Sequence, residues 1–267
     1  AQTWNVDLIN EMGEAMGQEY ADANNYGWYG PAMNTHRNAF AGRNFEYYSE
    51  DGVLAGKFAA AEINGAAERG VYPYIKHFAL NDQETNRCTI LLTWASEQTI
   101  REIYLKPFEI AVKDYEGNSI AVMSSFNWIG PKPSCANPDL LNTVLRDEWG
   151  FKGFVETDYN GSYGYQITDE CVRNGNDLML GFNSAASNQI TDTSATITLA
   201  LRQSSKNILY TVANSGYYTF ADSDPSNQPD QMVSLFRTID IVIGVVLLAL
   251  LVLMFAVHVK NKKKKKA

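Results

Sequence analysis

The residues of this chain with the greatest chemical reach are one carboxylate and the cations that could be brought to it. Asp158 stands in the run Glu156, Thr157, Asp158, Tyr159, continued by Asn160 and Gly161, directly after the apolar pair Phe154 and Val155. Lys76 and His77 likewise close an apolar run, which continues as FALNDQETNR to Arg87. A third apolar run ends in MSSFN, residues 123–127. After Tyr29 comes GPAMNTHRNAFAGRNFEYYSED, carrying Arg37, Arg43, Glu46, Glu50 and Asp51. A connection this long inside a compact domain is usually functional. Each feature alone has a plain structural explanation: Lys76 and His77 can finish a strand in solvent, and Asp158 can cap the next helix. Repeated at successive strand ends, they describe a carboxylate kept ionised by neighbouring cations whose donors can also hold hydroxyl groups. That is an arrangement suited to cleaving a bond between sugars.

Such groups need a scaffold that brings several strand ends to one place. Apolar periodicity predicts helices near residues 4–20, 53–69, 96–115, 138–149 and 196–213. It predicts buried strands at 26–29, 72–78, 120–126, 154–157 and 177–180. This alternation is the pattern of an α/β fold around a parallel sheet. Periodicity leaves open a doubly wound sheet or an incomplete eight-stranded barrel. In a barrel the reacting groups gather where strands run out into the loops before the helices, and the polar residues above stand at those points. No GxGxxG or GxxxxGK[ST] loop follows any strand, which weakens a nucleotide-binding reading.

Among the 267 residues, 45% are hydrophobic, an ordinary share for a globular core, but they are unevenly spread. Residues 241–257 are 17 consecutive positions without a charged or hydrogen-bonding side chain. With Ile239 and Val259 at the margins this reaches the ~20 residues a helix needs to cross a bilayer. Lys260 and Lys262 to Lys266 follow, ammonium groups that resist transfer across a membrane and favour anionic lipid heads. The expectation is a single-pass anchor over 238–259 in the cell membrane, with membrane lipid as a partner. The basic tail 260–267 would be cytoplasmic and the preceding domain extracellular. Residues 216–237, rich in Gly, Ser, Asp, Pro and Asn, read as a flexible linker. Setting aside the six tail lysines takes the net charge from −8 to −14, which argues against nucleic acid as a partner. Ala1 opens into an amphipathic stretch and not a secretory leader, so an outward-facing chain implies further sequence upstream. Cys88, Cys135 and Cys171 have neither paired nor metal-type spacing and read as packing residues. Neither a metal nor a cofactor is expected.

The motifs AMGQEY, GRNFEYYSED, KHFALNDQETNR, REIYLKPFE, VMSSFN, LRDEWGFKGFVETDY, RNGNDLML and LRQSSKNILYTVANS run in order between Trp4 and Ser215. On these the chain resembles glycoside hydrolase family 3, most closely its bacterial β-glucosidases. The resemblance implies that residues 1–215 form most of a (β/α)8 TIM-type barrel, incomplete at its N-terminus. The family's additional sugar-binding Asp, near the end of the first barrel strand, has no counterpart here. It further implies a retaining, exo-acting hydrolase that releases terminal β-D-glucose from a β-glucoside or oligosaccharide, with Asp158 as nucleophile. Arg43, Lys76, His77 and Arg87 would bind hydroxyls of the non-reducing sugar, and Met123, Phe126 and Tyr159 would line its subsite. Many relatives have Tyr where Phe126 stands and Trp where Tyr159 stands, so hydrogen bonding and stacking would differ there. The short KHFPGHG loop of the N-acetylglucosaminide-cleaving variant, with its catalytic His, is absent. In the family's β-glucosidases the acid/base is a Glu on a separate α/β sandwich domain. Such a domain is the expected partner, placed before the barrel as in some relatives. Glu46 and Glu84 read most simply as braces for the loop cations. The competing readings are a β-xylosidase of the same family and a non-catalytic carbohydrate-binding or scaffold protein at the cell surface.

Overall fold

A computed structural model describes residues 1–160, 164–181, 189–218, 238–239, 241–251 and 254. The chain divides into two units, Ala1–Phe220 and Ala221–Ala267.

In the first unit β1 (Gly27–Trp28), β2 (Tyr72–Phe78), β4 (Ala121–Ser124) and β7 (Phe154–Glu156) form a four-stranded sheet in that order, every pair parallel. Each new strand joins the same growing edge. A doubly wound sheet reverses its order at a switch point, whereas a barrel wall adds strands in sequence, so the open choice resolves toward the barrel. The predicted strand at 177–180 makes one parallel bridge, Leu178 to Glu156, and continues the wall by a single step. Between the strands run α2 (Gly52–Ala67), then α3 (Glu97–Thr99) leading through Ile100–Tyr104 into α4 (Lys106–Lys113), then a π-helix at Asp139–Glu148. The helix expected over 96–115 changes winding before Pro107, which has no N–H to give the preceding turn. A short α5 (Thr168–Arg173) and a side sheet of β3 (Leu92–Thr93), β5 (Trp128–Ile129) and β6 (Lys132–Pro133) are too brief to show in periodicity.

Strand alternation divides the core. Ile75, Phe78, Val122 and Val155 point to the helices and pack with Ile63, Phe108, Leu141 and Leu145. The Phe78 ring meets Phe108 at 5.1 Å and Trp149 at 5.8 Å, edge to face. Tyr74, Ala121 and Phe154 form a second cluster from the alternate positions, on the inner face. Tyr29, just beyond β1, donates from its hydroxyl to Glu156 Oε1 on β7 at 3.4 Å. Those strands are the two edges of the sheet, and their side chains meet because the sheet is curled into an arc.

On the outside, α1 (Val6–Asp22) crosses α2 where glycines remove side chains from the contact. A Cβ on Gly13 would lie 2.1 Å from the Glu62 carbonyl oxygen, and one on Gly65 would lie 2.2 Å from that of Asn10. Asp51 caps α2, accepting from the N–H groups of Val53 and Leu54, and so serves the helix. At the end of the sheet where the strands begin, α6 (Ala195–Ala213) is tied down by side chains. Ser119 Oγ donates to the Thr211 carbonyl at 2.6 Å, and Asn207 Nδ2 donates to Asp177 Oδ1 at 2.9 Å. Asp177 also accepts from Arg146 at 2.6 Å and from the Val155 N–H at 2.8 Å. Gly216 donates to the Gly70 carbonyl at 2.7 Å, and Tyr217 meets the Tyr26 ring at 6.3 Å. These two residues, grouped with the linker on composition, pack on the folded unit. Cys135 and Cys171 are buried with Ala136 and Met179 in a small cluster.

In the second unit, residues 238–239, 241–251 and 254 are helical. Among the described residues no helix is long and apolar enough to cross a membrane. The anchor expected over 238–259 is therefore not found among them, and its remaining positions, with linker residues 219–237 and the tail 260–267, lie outside the described residues.

Candidate active site

Three consecutive strand ends supply the centre: Lys76 and His77 from β2, the segment after Ser124 from β4, and Asp158 just past β7. Hydrogen bonds between the strand exits hold them in register. Ser125 donates from its N–H to the Phe78 carbonyl at 2.8 Å and from Oγ to the Ala79 carbonyl at 2.8 Å. The Asp158 N–H donates to the Ser124 carbonyl at 3.1 Å. Asn34, in the long loop after β1, grips the backbone of His77 from both sides, donating to its carbonyl at 2.9 Å and accepting from its N–H at 2.8 Å.

Arg87 and His77 approach Asp158, and Arg43 stands against His77. Arg43 Nη2 lies 3.1 Å from His77 Nε2, while its Nε is bonded to Glu46 and its Nη1 lies 3.8 Å from Glu84. Glu84 also holds Arg87 Nε at 3.0 Å, so one carboxylate braces both arginines. Arg87 sits 4.4 Å above the Phe126 ring and brings Nη1 to 3.9 Å from Asp158 Oδ2. His77 Nε2 lies 3.8 Å from the same oxygen. Asp158 Oδ1 accepts from the Tyr159 N–H at 2.7 Å, whereas Oδ2 has no hydrogen-bond partner among the described residues.

The remaining expected residues occupy outer positions. Lys76 is half-buried and lines a cavity of about 430 Å³ with Trp28, Tyr29, Phe45, Glu46 and Glu62. Asp158 does not line that cavity. Met123 is buried on β4 opposite Glu156, and the Tyr159 side chain is partly exposed. A larger cavity of about 510 Å³ is lined by Tyr20, Tyr26, Tyr29, Tyr72, Tyr74 and Tyr217; among the described residues no carboxylate or cation lines it, and Tyr29, bonded to Glu156, links it to the strand ends.

Burial raises the Asp158 pKa from its ordinary value, opposed by the Tyr159 N–H and by Arg87, Arg43 and Lys76. Burial also lowers the Lys76 ammonium, and it holds His77 well below the usual imidazole range with help from Arg43, Lys76 and Arg87. Glu156, two residues before Asp158, is raised to about 7 by burial, against the Tyr29 hydrogen bond and with added repulsion from Asp158. Two parts of the site were missed in the sequence, the Asn34 clamp and the Tyr29 to Glu156 contact. Asn34 gives no local signal because its partner lies 43 positions away. Among the described residues no group of His, Cys, Asp and Glu could hold a metal ion.

Comparison with known proteins matches residues 1–188 to the family model described as glycosyl hydrolase family 3 N terminal domain. The chain is 45% identical over 181 residues to β-glucosidase A of Butyrivibrio fibrisolvens, covering 68% of this chain and 21% of that protein. It is 43% identical over 178 residues to β-glucosidase B of Emericella nidulans, covering 67% and 20% respectively. Among solved structures, β-glucosidase 3B from Thermotoga neapolitana in complex with α-D-glucose aligns with a TM-score of 0.73 at 39% identity, over 85% of this chain and 32% of that one. The chain thus spans about a fifth of the length of these curated relatives.

Proposed function

We propose, from the premise that this chain belongs to glycosyl hydrolase family 3, that it carries the nucleophile half of a retaining, exo-acting β-glucosidase. The observation that carries this is the Asp158 carboxylate, with Oδ1 tied to the Tyr159 N–H and Oδ2 within 4 Å of His77 and Arg87. In this reading Oδ2 attacks the anomeric carbon, the glycosidic oxygen departs with a proton from an acid on a further domain, and water releases the sugar with retained configuration. Arg43, Lys76, His77 and Arg87 would hold hydroxyls of the bound sugar, with Met123, Phe126 and Tyr159 shaping its subsite. β-Glucosidase relatives at 45% and 43% identity favour glucose over xylose as that sugar.

The test is covalent capture with a dinitrophenyl fluoro-glucoside, whose leaving group departs without acid assistance, so that the chain can be assayed alone. Mass spectrometry should find the fluoro-glucosyl ester on Asp158, and the Asp158→Asn protein should take no label. Absence of label from both proteins would favour the second reading, a non-catalytic carbohydrate-binding surface. We further propose a membrane tether at residues 238–259, supported by the uninterrupted apolar run 241–257 and the lysines that follow it, with the lysines on the cytoplasmic side. The chain should then remain in the membrane pellet after alkaline carbonate extraction, whereas a variant truncated at residue 237 should be released.

A further inference from the structure

From the contact between Arg43 and His77 we infer that Arg43 fixes the tautomer of His77, leaving its proton on Nδ1 and turning the Nε2 lone pair toward the guanidinium. This goes beyond the proposed hydroxyl-binding role of Arg43 and rests on that reading only for its catalytic meaning. Arginine has donors and no acceptor, so the 3.1 Å approach of Nη2 to Nε2 is a hydrogen bond only if Nε2 is unprotonated. With the proton on Nε2, two N–H groups would face each other across that contact, whereas Nδ1 has no partner among the described residues in either tautomer and does not choose between them. Protonating both nitrogens is opposed by the cationic groups facing the ring, Arg43, Lys76 and Arg87, and by burial. Asp158 Oδ2, at 3.8 Å, is the facing acid, and Tyr47 contributes a neutral ring at 6.5 Å.

Arg43 is itself held by Glu46 and lies close to Glu84, so its donor is aimed before any ligand arrives. The consequence falls on Asp158. A neutral His77 with its proton on Nδ1 has nothing to donate from Nε2, and Oδ2 keeps its lone pairs for attack. Arg43 is in this respect a positioning residue that acts through His77. The same rule assigns the opposite tautomer to His36, whose Nε2 lies 3.0 Å from the Tyr47 carbonyl and must carry the proton to bond there.

The test is a long-range proton–nitrogen correlation spectrum of the full 267-residue chain, labelled at histidine and held in a mild detergent. His77 should show an unprotonated Nε2 and a protonated Nδ1, and His36 a protonated Nε2. Loss of a spin system in His77→Gln assigns the residue; if that variant does not fold, His36→Gln and His258→Gln assign it by elimination. Arg43→Met should shift the proton of His77 to Nε2, and Arg43→Lys, which keeps a donor, should leave it on Nδ1. A protonated Nε2 in the unmodified chain, or an unchanged His77 in Arg43→Met, overturns the inference. The spectrum needs no substrate, so a chain with the expected tautomers that takes no fluoro-glucoside label would refute the proposed activity and leave the Arg43 assignment standing.

Discussion

Asp158 combines a carboxylate oxygen with no hydrogen-bond partner among the described residues with three cationic side chains that do not fully offset its burial. Its replacement by Asn in an enzyme containing both halves should lower turnover by about 10⁴-fold or more. Lys76→Met or His77→Leu should each cost less, about 10²-fold, since each removes polar contacts around the sugar and leaves the Asp158 carboxylate in place. A steady-state assay on an aryl β-glucoside separates the two classes, and equal losses would remove the special status of Asp158. Glu156 makes a separate prediction, about stability. Its folded pKa, about 7, lies above the usual 4.5, so the native state keeps a proton that the unfolded chain releases. That contribution is present below the usual value and is lost as pH rises toward 7. Glu156→Gln should therefore gain stability relative to the parent between pH 5 and pH 8, on the order of 2 kcal/mol, measured as a difference in denaturant midpoints. Identical pH dependence in both proteins would contradict it. At this scale the candidates were legible in the sequence, because Lys76, His77 and Asp158 close apolar runs and Arg43 stands in an unusually long loop. The sequence did not carry the direction of the Asp158 shift, since the depth of burial depends on neighbours from other strands.

Among the elements, the crossing of α1 and α2 leaves no room for added volume. A methyl group at Gly13 or Gly65 would meet a backbone carbonyl, which cannot rotate away as a side chain can. Gly13→Ala should cost about 1–3 kcal/mol, seen as a fall of several degrees in the thermal midpoint, and an unchanged midpoint would show that the helices slide apart freely. The long amphipathic helices and the strand at 72–78 were legible because their apolar periods extend over enough residues to be distinctive. The side sheet was not, since strands as short as Leu92–Thr93 and Trp128–Ile129 have no period to detect. Backbone bonds pair them, from the Trp128 N–H to the Leu91 carbonyl at 2.8 Å and from the Gly130 N–H to the Thr93 carbonyl at 2.9 Å, and the Asn127 amide adds bonds to the Ala79 carbonyl and Thr93 Oγ1, both at 3.1 Å. The barrel's order of strands was likewise hidden until the pairings were seen, because periodicity marks strands without saying which edge each joins.

For the molecule as a whole, the chain's reach along its relatives sets the expectation. If the proton donor belongs to another domain, the isolated chain should cleave alkyl β-glucosides about 10²–10⁴-fold more slowly than a protein containing both parts. The deficit should shrink with dinitrophenyl glucosides. A chain that matches the larger protein on both substrates would place the acid within these 267 residues. The curl of the sheet has a kinetic corollary. Tyr29 and Glu156 are 127 positions apart, so their contact closes only after the intervening helices and strands are in place. This contact beneath Asp158 should thus close late, and in stopped-flow refolding Tyr29→Phe should leave the early phases unchanged and alter only the last.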